Sequence, residues 1–203
     1  GAASYASGKL CWMHRRCFNL WLAYQTAIIS PMTENSAHIL ATEDQVAKRI
    51  DEMAAEIIER YKDKRPLFVC LLRGGAPFAT RLMFAITTID PDFHPELDYM
   101  TVKTYGDERT SKPPEILADL LPNTEISGRN VVLLADVLDT GVTADFTHRY
   151  MIEKQQAASV DFIVLVQKDL ERQTYPQATL WGFDAPSDWL TGMGMDDRRL
   201  AKE

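Results

Sequence analysis

Residues 131–143 read VVLLADVLDTGVT, and this stretch decides the fold of the 203-residue chain. Its first part is apolar and β-branched with no polar alternation, the pattern of a strand buried on both faces of a parallel sheet. It then meets Asp136 and Asp139 and the small-residue turn Thr140-Gly141-Val142-Thr143, which leads towards a helical pattern. A strand whose carboxyl end enters such a turn and helix offers backbone N–H groups and hydroxyls to an anion. The aspartates beside the turn cannot hold a phosphate by charge. They suit a hydroxylated sugar, a magnesium ion or a proton transfer, so donors and carboxylates together point to a phosphorylated sugar.

Outward from this stretch, strand and helix alternate. Thr42-Glu43-Asp44-Gln45 is a capping box, and Val46, Ile50, Met53, Ala54, Ile57, Ile58 and Tyr61 recur on one helical face behind it. Residues 67–72 read as a buried strand broken by Arg73-Gly74-Gly75, and 76–86 as a helix. A strand is expected over 97–103 and a long mobile loop over 106–114, closed by two prolines. Beyond the 131 strand, 144–157 reads as a helix, and 160–166 and 178–183 as strands. This is the pattern of a parallel sheet covered on both faces. Ligands bind such sheets beyond the carboxyl ends of the strands, where Arg73, Gly74, Asp136, Asp139 and Lys168 all fall.

Bulk properties narrow the field. The length suits one domain with its own core. A formal charge of −7 argues against a nucleic-acid partner, whose phosphates need a basic surface. Cys11, Cys17 and Cys70 are too scattered for a disulfide framework, which makes the cytoplasm the expected compartment. His14, His38, His94 and His148 lack metal-ligand spacing, and there is no Walker loop or zinc motif. Residues 1–31 stand apart from residues 32–203. They read as an extension ahead of a natural start at Met32, as a leader or anchor, or as an added packing element. The apolar stretch within 12–29 is short and polar for a spanning helix, so no membrane partner is expected.

The segment LLADVLDTGVT resembles the phosphoribosyl-diphosphate (PRPP) binding signature of the type I phosphoribosyltransferases. From about Ala37 onward the chain is similar to their 6-oxopurine branch, the hypoxanthine/guanine phosphoribosyltransferases. The resemblance implies an α/β fold with a central parallel sheet flanked by helices, and a small hood formed by the N-terminal part and the C-terminal segment. It implies transfer of a phosphoribosyl group from magnesium-bound PRPP to hypoxanthine or guanine, in a homodimer or homotetramer with small-molecule partners. Asp139 then faces N7 of the purine as the catalytic residue, and Asp136 accepts from the ribose hydroxyls. Thr140, Gly141, Val142 and Thr143 hold the 5′-phosphate. Arg73 and Gly74 form the pyrophosphate loop, with a non-proline cis peptide at Leu72–Arg73, and Arg198 or Arg199 adds a pyrophosphate contact.

By the same resemblance, Lys168 donates to O6 of the base, Trp189 stacks on it and Leu190 offers backbone groups. Asp196, in the Gly192-x-x-x-Asp196 ending, reaches the magnesium ion, and Thr104-Tyr105 opens a lid over the site. One position departs from the pattern. Ala135 stands where the family has its first acidic residue, so one sugar or metal-water contact is lost or supplied by another group. That departure keeps open a catalytically impaired PRPP- or nucleotide-sensing regulator on the same fold, and a related enzyme using xanthine or another base.

Overall fold

The structure is a computed structural model that describes residues 28–33, 36–104, 113–169, 178–187 and 190–195. Two strands, β1 (Ile28–Thr33) and β2 (Ser36–Ala41), pair antiparallel as a small separate sheet. Helix α1 (Glu43–Tyr61) follows, and its start is the expected capping box. The Thr42 amide donates to Gln45 Oε1 at 2.8 Å, and the Gln45 amide donates back to Thr42 Oγ1 at 3.4 Å. Val46, Ile50, Met53, Ala54, Ile57 and Tyr61 are buried along one face.

The main sheet contains β3 (Leu67–Leu72), β4 (Glu96–Lys103), β5 (Glu115–Ala118), β6 (Asn130–Leu138), β7 (Ser159–Lys168) and β8 (Leu180–Ala185). Its order is β5-β4-β3-β6-β7-β8, parallel throughout except for the antiparallel edge pair β4–β5. Helices α2 (Gly75–Ile89) and α3 (Val142–Arg149) cover it, and α3 runs on into a π-helical turn over Tyr150–Lys154.

The apolar runs are unbroken because both sheet faces are buried. In β3, Phe68 and Cys70 pack with α1 and α2, while Leu67, Val69 and Leu71 pack on the other face with Ala144 and Met151. Strand β6 divides in the same way, Val132 and Leu134 against Val131, Leu133 and Ala135. Ile28 and Ala41 join the α1–α2 cluster, and so do Leu190, Met193 and Met195 from the C-terminal segment. The two pieces expected to form the hood therefore share one core. Arg49 of α1 donates to the carbonyls of Trp181 and Gly182 in β8, and the Tyr61 hydroxyl donates to Asp161 of β7 at 2.6 Å.

Strand β1 spans residues on both sides of position 31, and its first residue Ile28 is fully buried. Several expectations change. Strand β5 lies just beyond what reads as a loop, and β6 runs on through Asp136 to Leu138, leaving a tighter turn than the sequence suggests. The expected helix over 144–157 starts earlier, at Val142, and widens at Tyr150, where the Gln155 amide donates to the Tyr150 carbonyl at 3.1 Å. The Tyr150 hydroxyl there bonds Asp119 and accepts from Gln155 Nε2. Among the described residues no helix is long and apolar enough to cross a membrane.

Candidate active site

Strands β3 and β6 lie side by side at the middle of the sheet, but the chain leaves them in opposite directions, β3 towards β4 and β6 towards β7. Such a reversal opens a crevice beyond the carboxyl ends of the two strands.

The β3 side of the crevice is Leu72-Arg73-Gly74, and the Leu72–Arg73 peptide is cis. Gly74 lies directly against Asp136. A Cβ built on Gly74 would stand 2.0 Å from Asp136 Oδ2, so the absence of a side chain lets the carboxylate lie on the loop. Cys70 sits beneath them. Burial, with the charge of Asp136 added, pushes its thiol up to about 12, so it stays protonated at neutral pH and is no nucleophile.

The β6 side is the turn that follows Leu138. Gly141 adopts φ 81°, a left-handed conformation that costs glycine nothing, and α3 begins at the next residue. The opening amides of a helix have no carbonyl within it to bond. Here these are Val142, Thr143 and Ala144, since the Asp145 amide is the one that bonds the Gly141 carbonyl, at 2.8 Å. All three residues line a cavity of about 180 Å³, together with residues 139–141, Val102, Ala135 and Phe162. Partial positive charge at the helix start favours an anion there. Ala135 is buried in the lining of this cavity, and its methyl side chain can accept no hydrogen bond.

A larger cleft of about 570 Å³ adjoins it, lined in part by Arg73, Gly74, Lys103, Thr104, Leu117, Asp136, Asp139, Lys168, Leu190 and Met195. Lys168, the last residue of β7, is only 5% exposed, yet its Nζ stands 3.0 Å from Oδ2 of Asp139. The cleft thus presents a cationic donor and an anionic acceptor side by side, next to the anion cavity. The hydroxyl of Thr104, in the lining of this cleft, meets that of Thr143, in the lining of the smaller cavity, at 2.7 Å.

The structure therefore brings Arg73, Gly74, Asp136, Asp139, Thr140, Gly141, Val142, Thr143, Lys168, Leu190 and Thr104 around two adjoining cavities. Tyr105, Trp189, Asp196, Arg198 and Arg199 lie outside the described residues. Lys103, Leu117 and Met195 also line the cleft, and sequence reasoning missed them. The loose alternation of β4 gave a signal for Lys103, whereas the short strand carrying Leu117 gave none.

Comparison with known proteins identifies the family. Residues 36–194 match the profile of the phosphoribosyl transferase domain. The chain is 33% identical over 167 residues to the hypoxanthine-guanine phosphoribosyltransferase of Streptococcus agalactiae, covering 81% of this chain and 88% of that protein. It is 31% identical over 168 residues to the hypoxanthine-guanine-xanthine phosphoribosyltransferase of Tritrichomonas foetus, covering 82% and 87%. Among solved structures, a hypoxanthine phosphoribosyltransferase from Staphylococcus aureus superposes with a TM-score of 0.69 at 26% identity, over 80% of this chain and 86% of that one. On this profile match and these relatives, the chain belongs to the phosphoribosyltransferase family, in its hypoxanthine-guanine branch.

Proposed function

We propose that the protein transfers the 5-phosphoribosyl group of PRPP to hypoxanthine or guanine, giving the nucleoside monophosphate and pyrophosphate, as an enzyme of purine salvage. The observation that carries this is the Lys168–Asp139 pair, 3.0 Å apart at the edge of the anion cavity. A 6-oxopurine offers an acceptor at O6 and an N–H at N7, which match a lysine donor and a carboxylate acceptor. Adenine would turn an amino donor towards Lys168, a mismatch that discriminates strongly.

In this reading the 5′-phosphate sits on the amides and hydroxyls of residues 140–143, and Asp136 accepts from the ribose hydroxyls. Arg73 and the Gly74 backbone receive the pyrophosphate, with Arg198 or Arg199 adding to the grip. N9 of the base attacks C1′ of the ribose as the bond from C1′ to the pyrophosphate oxygen breaks. The proton on N7 passes to Asp139, so the nucleotide leaves neutral at the ring. Trp189 stacks on the base and Leu190 borders its edge.

Magnesium fits this donor set. Asp136 puts hard carboxylate oxygens on the cleft wall, the kind of ligand that magnesium takes together with substrate phosphates. Asp196 is the further carboxylate we assign to it. When bound to the pyrophosphate, the ion supplies positive charge to the leaving group. Ala135 leaves the ribose with one carboxylate in place of two, so PRPP binds with one charged acceptor fewer. The same reading carries a homodimer or homotetramer working in the cytoplasm.

The test is pyrophosphate release from PRPP and magnesium with hypoxanthine, guanine, xanthine and adenine in parallel, in wild type and Asp139→Asn. We expect turnover with the 6-oxopurines, none with adenine, and a loss of about 10²-fold or more in the variant, the scale of a missing general base. A folded protein that binds PRPP or a nucleotide but turns over no base would replace this reading with that of a sensor.

A further inference from the structure

Thr104 reaches Thr143, a residue lining the smaller cavity, from a strand that is not a neighbour of β6. It follows the last residue of β4, while Thr143 lies in the first turn of α3, directly after β6. Strand β3 separates β4 from β6 in the sheet, so their axes stand roughly 10 Å apart at the usual strand spacing. The two Oγ1 atoms nevertheless meet at 2.7 Å, and either is able to be the donor. Thr143 lines the anion cavity and Thr104 the adjoining cleft. The hydroxyl pair therefore stands on the partition between them.

An anion in the cavity would settle the direction of this bond. A hydroxyl has one proton to give and lone pairs to accept with, whereas a phosphate dianion only accepts. Once Thr143 donates its proton to the phosphate, it can meet Thr104 only as an acceptor. Thr104 then becomes the donor, and the chain runs one way, from Thr104 to Thr143 to phosphate. Donation into Thr143 polarises its O–H towards the anion, so each bond strengthens the next.

We propose that Thr104 is a positioning residue of the phosphate subsite, acting through Thr143 to tighten the hold on the 5′-phosphate. The proposal rests on reading residues 139–143 as the phosphate loop, and it gives Thr104 a task separate from covering the cleft.

Titration calorimetry with GMP and with guanosine, which lacks the phosphate, tests it on Thr104→Val, Thr104→Ser, Thr143→Val and the double valine variant. Thr104→Val is expected to weaken GMP by about 3- to 10-fold, the effect of one neutral hydrogen bond, and to leave guanosine unchanged. Thr104→Ser should restore GMP affinity. In the Thr143→Val background, Thr104→Val should cost nothing more, because the relay is already cut. Unchanged GMP affinity, an equal loss for guanosine, or a full further loss in the double variant would each overturn the proposal. If Thr104→Val fails to fold, Thr104→Ala carries the same comparison. Should wild type bind neither GMP nor PRPP, the phosphate-loop reading itself falls; GMP binding that is indifferent to Thr104 removes the relay alone.

Discussion

At Gly74 the side chain that is missing governs one that is present. Gly74 has φ −57° and ψ −36°, a conformation open to any residue, so an added methyl meets no backbone objection. Its one severe clash is with the Asp136 carboxylate, 2.0 Å from the added carbon. Gly74→Ala should therefore swing Asp136 away with little loss of fold stability. A lost hydrogen bond to a charged acceptor is worth about 1.5–3 kcal/mol, which is about 10- to 100-fold in affinity. We expect KM for PRPP to rise on that scale while the melting temperature stays near wild type. An unchanged KM would mean that Asp136 does not serve the sugar.

The residues legible in the sequence share one property: each sits where a recognisable strand stops. Arg73, Gly74, Asp136, Asp139 and Lys168 could be placed from apolar runs alone, because ends of parallel strands converge. Leu117 could not, since its strand has four residues and follows a polar, proline-closed stretch. Nor could the Thr104–Thr143 bond, which depends on reach across an intervening strand. The Lys168–Asp139 pair lies between the two cases. Both residues were in view, but their separation is a matter of side-chain packing.

Among the elements, the connection between β5 and β6 hangs on Asp98 of β4. Its carboxylate, 5% exposed, accepts from the Tyr99 amide at 2.7 Å, the Leu121 amide at 3.0 Å and the Thr124 hydroxyl at 2.6 Å. Burial works against the charge, but the Thr124 hydroxyl and the two amides outweigh it and hold the pKa below its ordinary 3.8. A carboxyl whose folded pKa is depressed adds stability that is complete above the ordinary value and lost as pH falls through the folded one. Asp98→Ala should cost about 2–4 kcal/mol near neutral pH, because it leaves buried donors unanswered. Urea unfolding of wild type and variant should show this difference shrinking below pH 3.8. A gap of constant size through the acid range would show that the charge is not what holds the connection.

Other elements explain why some structure was hidden. In β1, Pro31 stands where a strand would not ordinarily be read, yet a two-stranded ribbon tolerates it. The π-helical turn has no local signature. It goes with the bonds of Tyr150 to Asp119 and Gln155, and Asp119 lies thirty-one residues away in sequence.

On the scale of the molecule, the alternation of apolar runs and amphipathic helices revealed a parallel sheet but not its strand order. That order sets β3 beside β6 and so locates the crevice. It also sends β8 to the edge beneath α1, where Arg49 grips carbonyls 132 and 133 residues further along the chain. These contacts have a consequence in time. A ribosome adding about 5–20 residues per second needs roughly 7–27 seconds to make the chain between Arg49 and its partners. Through that interval α1 exists without its final neighbour, and Tyr61 waits almost as long for Asp161. Stalled nascent chains should accordingly stay open to protease when they end before β8 and become resistant only once residue 185 has cleared the exit tunnel. Resistance acquired by the shorter chains would show that the first half folds on its own. If it does not, the newborn protein is exposed to chaperones and proteases until β8 has been made.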